Sequence, residues 1–460
     1  MLIFKIAFRS VLRYKGKLFA IGILILFSVL FLMIGNSFVY SLKKATKKTI
    51  INNYTGHVVL YSYKSKSLPS PFSFVEPLPP IENFEEVIQF LQNDQSIKAY
   101  VPIAQNFGMI DTASDIPLTI SFNAIDPKNY LSIFNNIEII EGTFFSEPGV
   151  ILTEMMIKEL KNRGIKADVG SEITIIGTSG STSINSKKVK IVGIFKSKLF
   201  TEQSFINYMD ISIYKELFNF QGLKFESLPQ NIKNLLSTQS EDEIFNNENI
   251  FGEGEGNKID FSSLKWSSNT GFTMIMVLFK DEKSINEFIK KINSNKDLNL
   301  KVVDWRKASA GIYEIANAIQ IFITIVAFVL FLTVGIILMN TFIINILERT
   351  YEIGTIRAIG GSKNFIAKQY VLESLIITLF FTFIGIIIGA IIVSIFGDYG
   401  ISLPKNIAQI MYGGGKLYFD VKLTSIITIF IILLIVTAIS TIYPVKVATK
   451  ITPRKAMSEK

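Results

Sequence analysis

Few residues of this 460-residue chain could do covalent chemistry. There is no cysteine, so disulfides, zinc–thiolate sites and thiol nucleophiles are excluded. The single histidine, His57, excludes a histidine-based metal cluster. It has no acid–base partner nearby in sequence and reads as a strand residue. No GxxxxGK(S/T) phosphate loop occurs, and the glycine-rich run from Gly252 to Gly256 carries two glutamates that would repel phosphate. No catalytic residue, metal ligand or directly bound cofactor is therefore expected. What remains is a docking chemistry. In Glu348-Arg-Thr-Tyr-Glu-Ile-Gly-Thr-Ile-Arg-Ala-Ile-Gly-Gly-Ser362, the charges of Glu348, Arg349, Glu352 and Arg357 alternate in sign around Ile353, Ile356 and Ile359. This spacing predicts a short amphipathic helix suited to a groove in another protein. Gly360-Gly361 would end it, because glycine tolerates the left-handed helix stop. Ser362 would cap the next helix.

The elements that must hold this segment are apolar. Hydrophobic residues make up 49% of the chain, and the mean hydropathy is +0.39. Residues 18–42, 315–347, 374–397 and 423–445 carry no charge, and each exceeds the ~20 helical residues that cross a bilayer core. The first is too long for a signal peptide and lacks a small-residue cleavage site, so it reads as a retained anchor. Basic residues set the orientation. Lys5, Arg9, Arg13, Lys15 and Lys17 precede the first span; Arg349, Arg357, Lys363 and Lys368 lie between the second and third; Lys446, Lys450, Arg454, Lys455 and Lys460 follow the fourth. Both termini and the 348–370 loop are expected in the cytoplasm, although Lys43, Lys44, Lys47 and Lys48 argue the other way. The net charge of +9 fits anionic membrane lipid. No basic and aromatic stripe suggests nucleic acid.

The reading is an α-helical membrane protein with four transmembrane helices and a large α/β extracytoplasmic domain between the first two. The expected layout is an interfacial helix at 1–17, where Lys5, Arg9 and Arg13 share a face, though a plain basic flank reads equally well. Spans at 18–42, 315–347, 371–397 and 423–445 follow, with a coupling loop at 348–370, an outer loop at 398–422 and a cytoplasmic tail at 446–460. Within the outer domain, 43–313, two strand–helix–strand units look alike. A strand at 56–61 precedes apolar Phe84, Val87, Ile88 and Leu91 at helical spacing; a strand at 272–279 precedes Ile285, Phe288, Ile289 and Ile292. Strands at 97–101 and 300–303 complete them, and the intervening segment is expected to form a second lobe. It has β-prone runs at 118–122, 173–176 and 189–195, and Thr153 as an N-cap. Residues 234–257, which carry Glu241, Asp242, Glu243, Glu248, Glu253 and Glu255 and no basic residue, read as a mobile loop or a partner-docking arm. The linkers at 41–51 and 308–320 read as helical stalks, with Gly311 a weak point in the second.

The run ERTYEIGTIRAIGGS, followed by YVLESL, closely resembles the signature of MacB/FtsX/LolC-type ABC transporter permeases. FKIAFRSVLRYKGK at the start resembles their approach to the first span. Glu141-Gly142, Gly149 to Thr153, Gly170 to Ile175 and Val192 to Phe195 resemble the MacB-like periplasmic core. Gly56-His57-Val-Val-Leu60 is similar to the lipoprotein-releasing LolC/LolE branch. The resemblance implies two permeases, as a homodimer or heterodimer, with two ABC ATPase subunits (LolD-like) that hold ATP and Mg. Glu348, Arg349, Glu352, Ile353, Gly354, Ile356, Arg357, Ala358 and Gly360 would form the ATPase-coupling helix of a mechanotransmission device in the inner (cytoplasmic) membrane. The chain departs from a MacB pattern in having no fused ATPase domain, and from an FtsX pattern in its much larger outer domain.

The implied function is ATP-driven movement of a hydrophobic envelope substrate, with lipoprotein release, aided by a periplasmic carrier, ahead of a MacB-like peptide or drug exporter. An FtsX-like regulator of an extracellular hydrolase and a tethered binding module are the other readings. A lipid-anchored substrate needs a lateral opening, because each buried CH₂ resists leaving the bilayer by ~0.8 kcal/mol. Spans one and two offer Phe27, Phe31, Phe322, Phe328 and Phe331, with Asn36 and Asn340 as polar interruptions. Gly385 and Gly389 form a GxxxG pair for close helix packing, within the chain or between subunits.

Overall fold

The computed structural model describes residues 2–13, 15–70, 78–112, 117–179, 183–197, 206–218, 271–309 and 311–452. The acidic stretch 234–257 and the run from Gly252 to Gly256 lie outside them. The chain forms two compact units: one from residues 1–46, 313–411 and 415–460, the other from 47–312 and 412–414. It opens with α1 (Leu2–Arg13) and α2 (Lys15–Ile50), and a π-helical turn at Ile51–Thr55 leads to Gly56.

The second unit is built on one sheet of ten strands among the described residues. β1 (Val58–Ser62), α3 (Phe84–Asn93) and β2 (Ile97–Ile110) form one strand–helix–strand unit; β9 (Met274–Phe279), α7 (Ile285–Ser294) and β10 (Leu300–Asp304) form the other. The two units interlock rather than stand side by side: the order is β10-β1-β9-β2, with every neighbouring pair antiparallel. Each crossover leaves a gap that a strand of the other unit fills, the split βαβ arrangement. The apolar helix faces supply Phe84, Val87 and Leu91 from one side and Phe288 and Ile292 from the other. Phe90 and Phe288 meet with ring centroids 6.1 Å apart.

The intervening segment extends the same sheet instead of founding a separate one, because β2 runs on past Val101 to Ile110. Its first half pairs with β9, and its second half pairs with β3 (Leu118–Ile125) from Ile103↔Ile125 to Ile110↔Leu118. Beyond β3 the order is β8 (Ile206–Asp210), β5 (Val150–Thr153), β7 (Ser183–Ser197) and β4 (Ile137–Gly142), while β6 (Glu172–Ser179) pairs with β2 and β7. Three short helices, α4 (Pro127–Ile133), α5 (Glu154–Asn162) and α6 (Ile211–Leu217), connect these strands. Thr153 caps α5: its Oγ1 accepts from Met156 N at 3.2 Å. Asp126 and Asp210 cap α4 and α6 in the same way.

Gly56 and His57 are set by local packing. Gly56 has φ +64°, a region L side chains rarely adopt, and a side chain there would run into the Val277 carbonyl. His57 N donates to Val277 O at 2.8 Å, and Phe279 N donates to His57 Nδ1 at 3.1 Å. The stretch therefore docks β1 onto β9. On the far side, α8 (Trp305–Ala308) is separate from the next helix, since Gly311, with φ 86°, breaks the chain. The 308–320 linker is thus not one continuous helix.

In the first unit, α9 (Ile312–Glu348), α10 (Thr350–Ala358), α11 (Lys363–Tyr399) and α13 (Leu423–Lys450) follow, with α12 (Lys405–Tyr412) and the strand pair β11 (Ile401–Ser402) and β12 (Lys416–Leu417) between the last two spans. Among the described residues, four helices are long and apolar enough to cross a membrane: α2 with its extension, α9, α11 and α13. α11 packs along α13, where Thr437 Oγ1 donates to Thr378 Oγ1 at 3.0 Å in the buried seam. Glycines set the α2–α11 seam. A Cβ at Gly385 would stand 2.9 Å from Val29 Cγ1, and one at Gly389 2.8 Å from Met33 Cγ. The GxxxG pair thus contacts α2 of the same chain. Helix α1 packs against α11, burying Ala7 and Ser10 and leaving Phe4, Phe8 and Leu12 exposed in a stripe. Such a stripe suits a helix lying in the membrane interface.

Candidate coupling segment and outer cavity

Helix α9 ends at Glu348, and Arg349 turns the chain into α10. The turn is fixed by buried charge. Arg349 Nη1 donates to Ser10 Oγ of α1 at 2.7 Å and lies 3.3 Å from both carboxylate oxygens of Glu373 on α11. Its Nε donates to Glu352 Oε2 at 2.9 Å. Glu352 in turn accepts from Arg13 Nη1 at 3.2 Å, and Glu373 accepts from Gln369 Nε2 at 3.0 Å. The guanidinium also stands 5.7 Å from the centroid of the Tyr370 ring. One arginine thereby joins α1, α10 and α11. A buried charge is costly unless paired and hydrogen-bonded, and here both conditions are met.

Arg357 makes a second clasp. Its Nη1 donates to Thr449 O at 3.2 Å and Ile451 O at 2.6 Å, filling carbonyls at the end of α13 that have no helical partner. Gly360, at φ 101°, takes the left-handed stop. Gly361 N then donates to Ile356 O at 2.9 Å and Gly360 N to Arg357 O at 3.2 Å, a Schellman ending. Ser362 Oγ accepts from Phe365 N at 3.1 Å and caps α11.

The three isoleucines of the segment do not share a face. Ile353 is buried, as is Gly354; Ile356 is intermediate; Ile359 is 81% exposed. The helix stops at Ala358, so the turn at Gly360 swings Ile359 outward. The face left open carries Glu348, Tyr351, Thr355, Ala358, Ile359 and Gly360. Arg349, Glu352, Ile353, Gly354 and Arg357 instead hold the segment to its own chain. The sequence pattern suggested docking for all of them, because alternation of charge cannot distinguish inward pairs from outward ones.

On the opposite side of the same unit, the structure divides the residues proposed for a lateral opening. Asn36, Phe328 and Phe331 line one cavity of about 580 Å³ between α2, α9 and α13. Phe27, Phe31, Phe322 and Asn340 lie outside its lining. Phe27 and Phe322 are 63% and 65% exposed, as befits side chains turned to lipid. Sequence reading missed Lys43, Gln320, Thr428 and Lys422 in the same lining. The signal lay in two lysines that flank uncharged stretches on the outer side. The lysine run after the first span is partnered: Lys43 Nζ donates to Asn317 Oδ1 at 3.0 Å and also to Gln320. Lys44 pairs with Asp420 at 2.5 Å, and Lys47 with Glu282 at 2.5 Å. These contacts give the basic run a role on the outer side, where the positive-inside tendency disfavours it.

The chain matches two family models: the MacB-like periplasmic core domain over residues 18–295, and the C-terminal part of FtsX-like permeases over residues 324–453. A relative named macrolide export ATP-binding/permease protein MacB, from Mannheimia succiniciproducens, is 29% identical over 144 residues, covering 31% of this chain and 21% of that protein. An uncharacterized ABC transporter permease, YknZ of Bacillus subtilis, is 30% identical over 97 residues, covering 21% of this chain and 24% of that protein. The matched stretches thus span under a quarter of these relatives' lengths. Among solved structures, the periplasmic region of MacB from Actinobacillus actinomycetemcomitans aligns with 57% of this chain and 94% of its own, at 12% identity and a TM-score of 0.29. The extracellular domain of YknZ aligns with 54% of this chain and 99% of its own, also at 12% and 0.29. With the core-domain match covering more than half of its residues, and the permease match covering three of its four apolar helices, the chain belongs to the MacB/FtsX-type ABC transporter permeases, as a multi-pass membrane protein with a MacB-like periplasmic domain.

Proposed function

We propose that this permease is the membrane subunit of a transporter in the cytoplasmic membrane, driven by a separate ABC ATPase subunit that holds ATP and Mg, and paired with a second permease subunit. The observation that supports it is α10: a short helix clamped by Arg349 and Arg357, yet presenting Tyr351, at 64% exposure, and Ile359 to the outside. A rigidly held element with exposed aromatic and aliphatic side chains is what a docking groove needs. Nucleotide-driven movement of the ATPase would reach the spans through these two clasps.

The substrate reading favoured is export of a hydrophobic or amphiphilic envelope compound. Relatives named for macrolide export support it. Lipoprotein release rests on the GHVVL stretch, and Gly56 and His57 already have a local reason in the docking of β1 onto β9. The test is reconstitution. The chain alone in proteoliposomes should show no ATP turnover, and adding its ATPase should produce turnover that amphiphilic peptides or macrolides stimulate. Turnover by the chain alone, free of any second protein, would end this reading. Retention of lipoproteins in the inner membrane after depletion, without drug or peptide sensitivity, would restore lipoprotein release.

A further inference from the structure

The cavity between α2, α9 and α13 has the layout of an amphiphile site. On α2 the lining runs from Leu32 to Lys43, on α9 from Gln320 to Phe331, and from Lys422 into α13 as far as Ile432. At 1.5 Å per residue each run is about 16 Å deep, roughly half of a ~30 Å hydrocarbon core. Lys43 follows the first uncharged stretch directly and Lys422 precedes the last, so both stand at the rim. Leu32, Phe331 and Ile432 lie at the deep end, and Asn36, Thr324 and Thr428 between. The cavity therefore occupies the depth of the outer leaflet, with cations at water level and an apolar floor.

Its charge is one-sided. The lining contains two lysines and no carboxylate. Lys43 is held by Asn317 and Gln320, whose neutral amide oxygens orient the ammonium but leave its charge. An ammonium has three N–H donors, and these amides take two. Lys422 Nζ lies 5.9 Å from the ring centroid of Tyr40, which also lines the cavity. Neighbouring Lys44 differs: it is paired with Asp420 and is not part of the lining.

We propose that this cavity binds a phospholipid of the outer leaflet with an anionic headgroup, the headgroup bridging Lys43 and Lys422 and one acyl chain lying along Phe328 and Phe331. Two cations at the rim of a lining that holds no carboxylate favour an anion over a zwitterion, and a volume of about 580 Å³ takes a headgroup and part of one chain. The assignment concerns binding alone and stands whether or not the transport reading does.

The test uses the full chain, delipidated in detergent, titrated with phosphatidylglycerol and with phosphatidylcholine of the same acyl chains, and read by native mass spectrometry. Phosphatidylglycerol should bind at least ~10-fold more tightly, a difference of about 1.4 kcal/mol. The double variant Lys43→Gln/Lys422→Gln should bring the two lipids level. Lys48→Gln, at an exposed position outside the lining, should leave the preference intact. Thr428→Phe, which fills the cavity without touching its charge, should lower binding of both lipids. Equal binding of the two lipids to the native chain would overturn the proposal. So would a preference that survives the double variant, or one that Lys48→Gln abolishes as fully. A site that takes only a transported peptide or macrolide and neither lipid would also overturn it.

Discussion

Arg349 and Glu373 form a buried ion pair, with Nη1 3.3 Å from each carboxylate oxygen and the side chains 10% and 6% exposed. The pair joins the turn before α10 to α11. Removing one partner leaves the other charge buried, which typically costs about 3–5 kcal/mol. Glu373→Ala should therefore lower the thermal stability of the detergent-solubilised chain severely. Glu373→Gln, which keeps an acceptor, should cost less. Fluorescence-detected size exclusion after a heating series would show this, and equal melting of Glu373→Ala and the native chain would refute it.

Ile353 and Ile359 should respond oppositely to the same substitution. Ile353→Asp places a carboxylate in a buried position and should reduce the amount of folded chain. Ile359→Asp alters an exposed position and should leave folding intact while weakening ATPase association. Co-purification of the two subunits and chain yield, measured together, separate these outcomes. Loss of association without loss of folding in Ile353→Asp would reverse the assignment of faces.

Burial holds the His57 imidazole below its usual range, with Lys47 and Lys98 pushing the same way and Glu282 opposing. The neutral ring accepts from Phe279 N, a bond that protonation of Nδ1 removes. The folded value is depressed, so the unfolded chain takes up the proton first as pH falls. The contribution is complete above the ordinary value of about 6.5 and declines below it as pH approaches the folded value. The melting temperature should drop more between pH 7.5 and 5.5 in the native chain than in His57→Gln, which keeps an acceptor but does not titrate. Parallel drops would exclude this histidine as a source.

Gly385 and Gly389 should tolerate little. Leucine at either position would collide with Val29 or Met33, and overpacking of this kind costs about 1–3 kcal/mol. Val29→Ala should rescue Gly385→Leu in part, a coupling visible in a double-mutant cycle. If Gly385→Leu instead preserves the melting point and abolishes dimers, the pair serves a subunit interface.

What could be read from the sequence was local. The uncharged stretches, the helix periodicity from Phe84 to Leu91 and the Thr153 cap depend on near neighbours, and the structure carries each of them. The interlocked order β10-β1-β9-β2 depends on register between segments more than 200 residues apart, as in Val58↔Val277. The bond from Arg349 to Ser10 spans 339 positions. No alternation of charge within 348–362 could show that Arg349 points inward while Ile359 points out. Lys43 was visible only as an argument against the chosen orientation; its place beside Asn317 and Gln320 appears once α2 and α9 are packed.

The clasp between Arg357 and the last carbonyls of α13 makes that helix a lever. Pro444 removes one rung of the hydrogen-bond ladder six positions before Lys450, so the fulcrum lies close to the clasped end. The arm from there to Leu423 is about 32 Å at 1.5 Å per residue, and a tilt of about 5° would sweep its far tip through roughly 3 Å. At that tip stands Lys422. A push on α10 too small to rearrange the bundle would thus be magnified at the cavity rim.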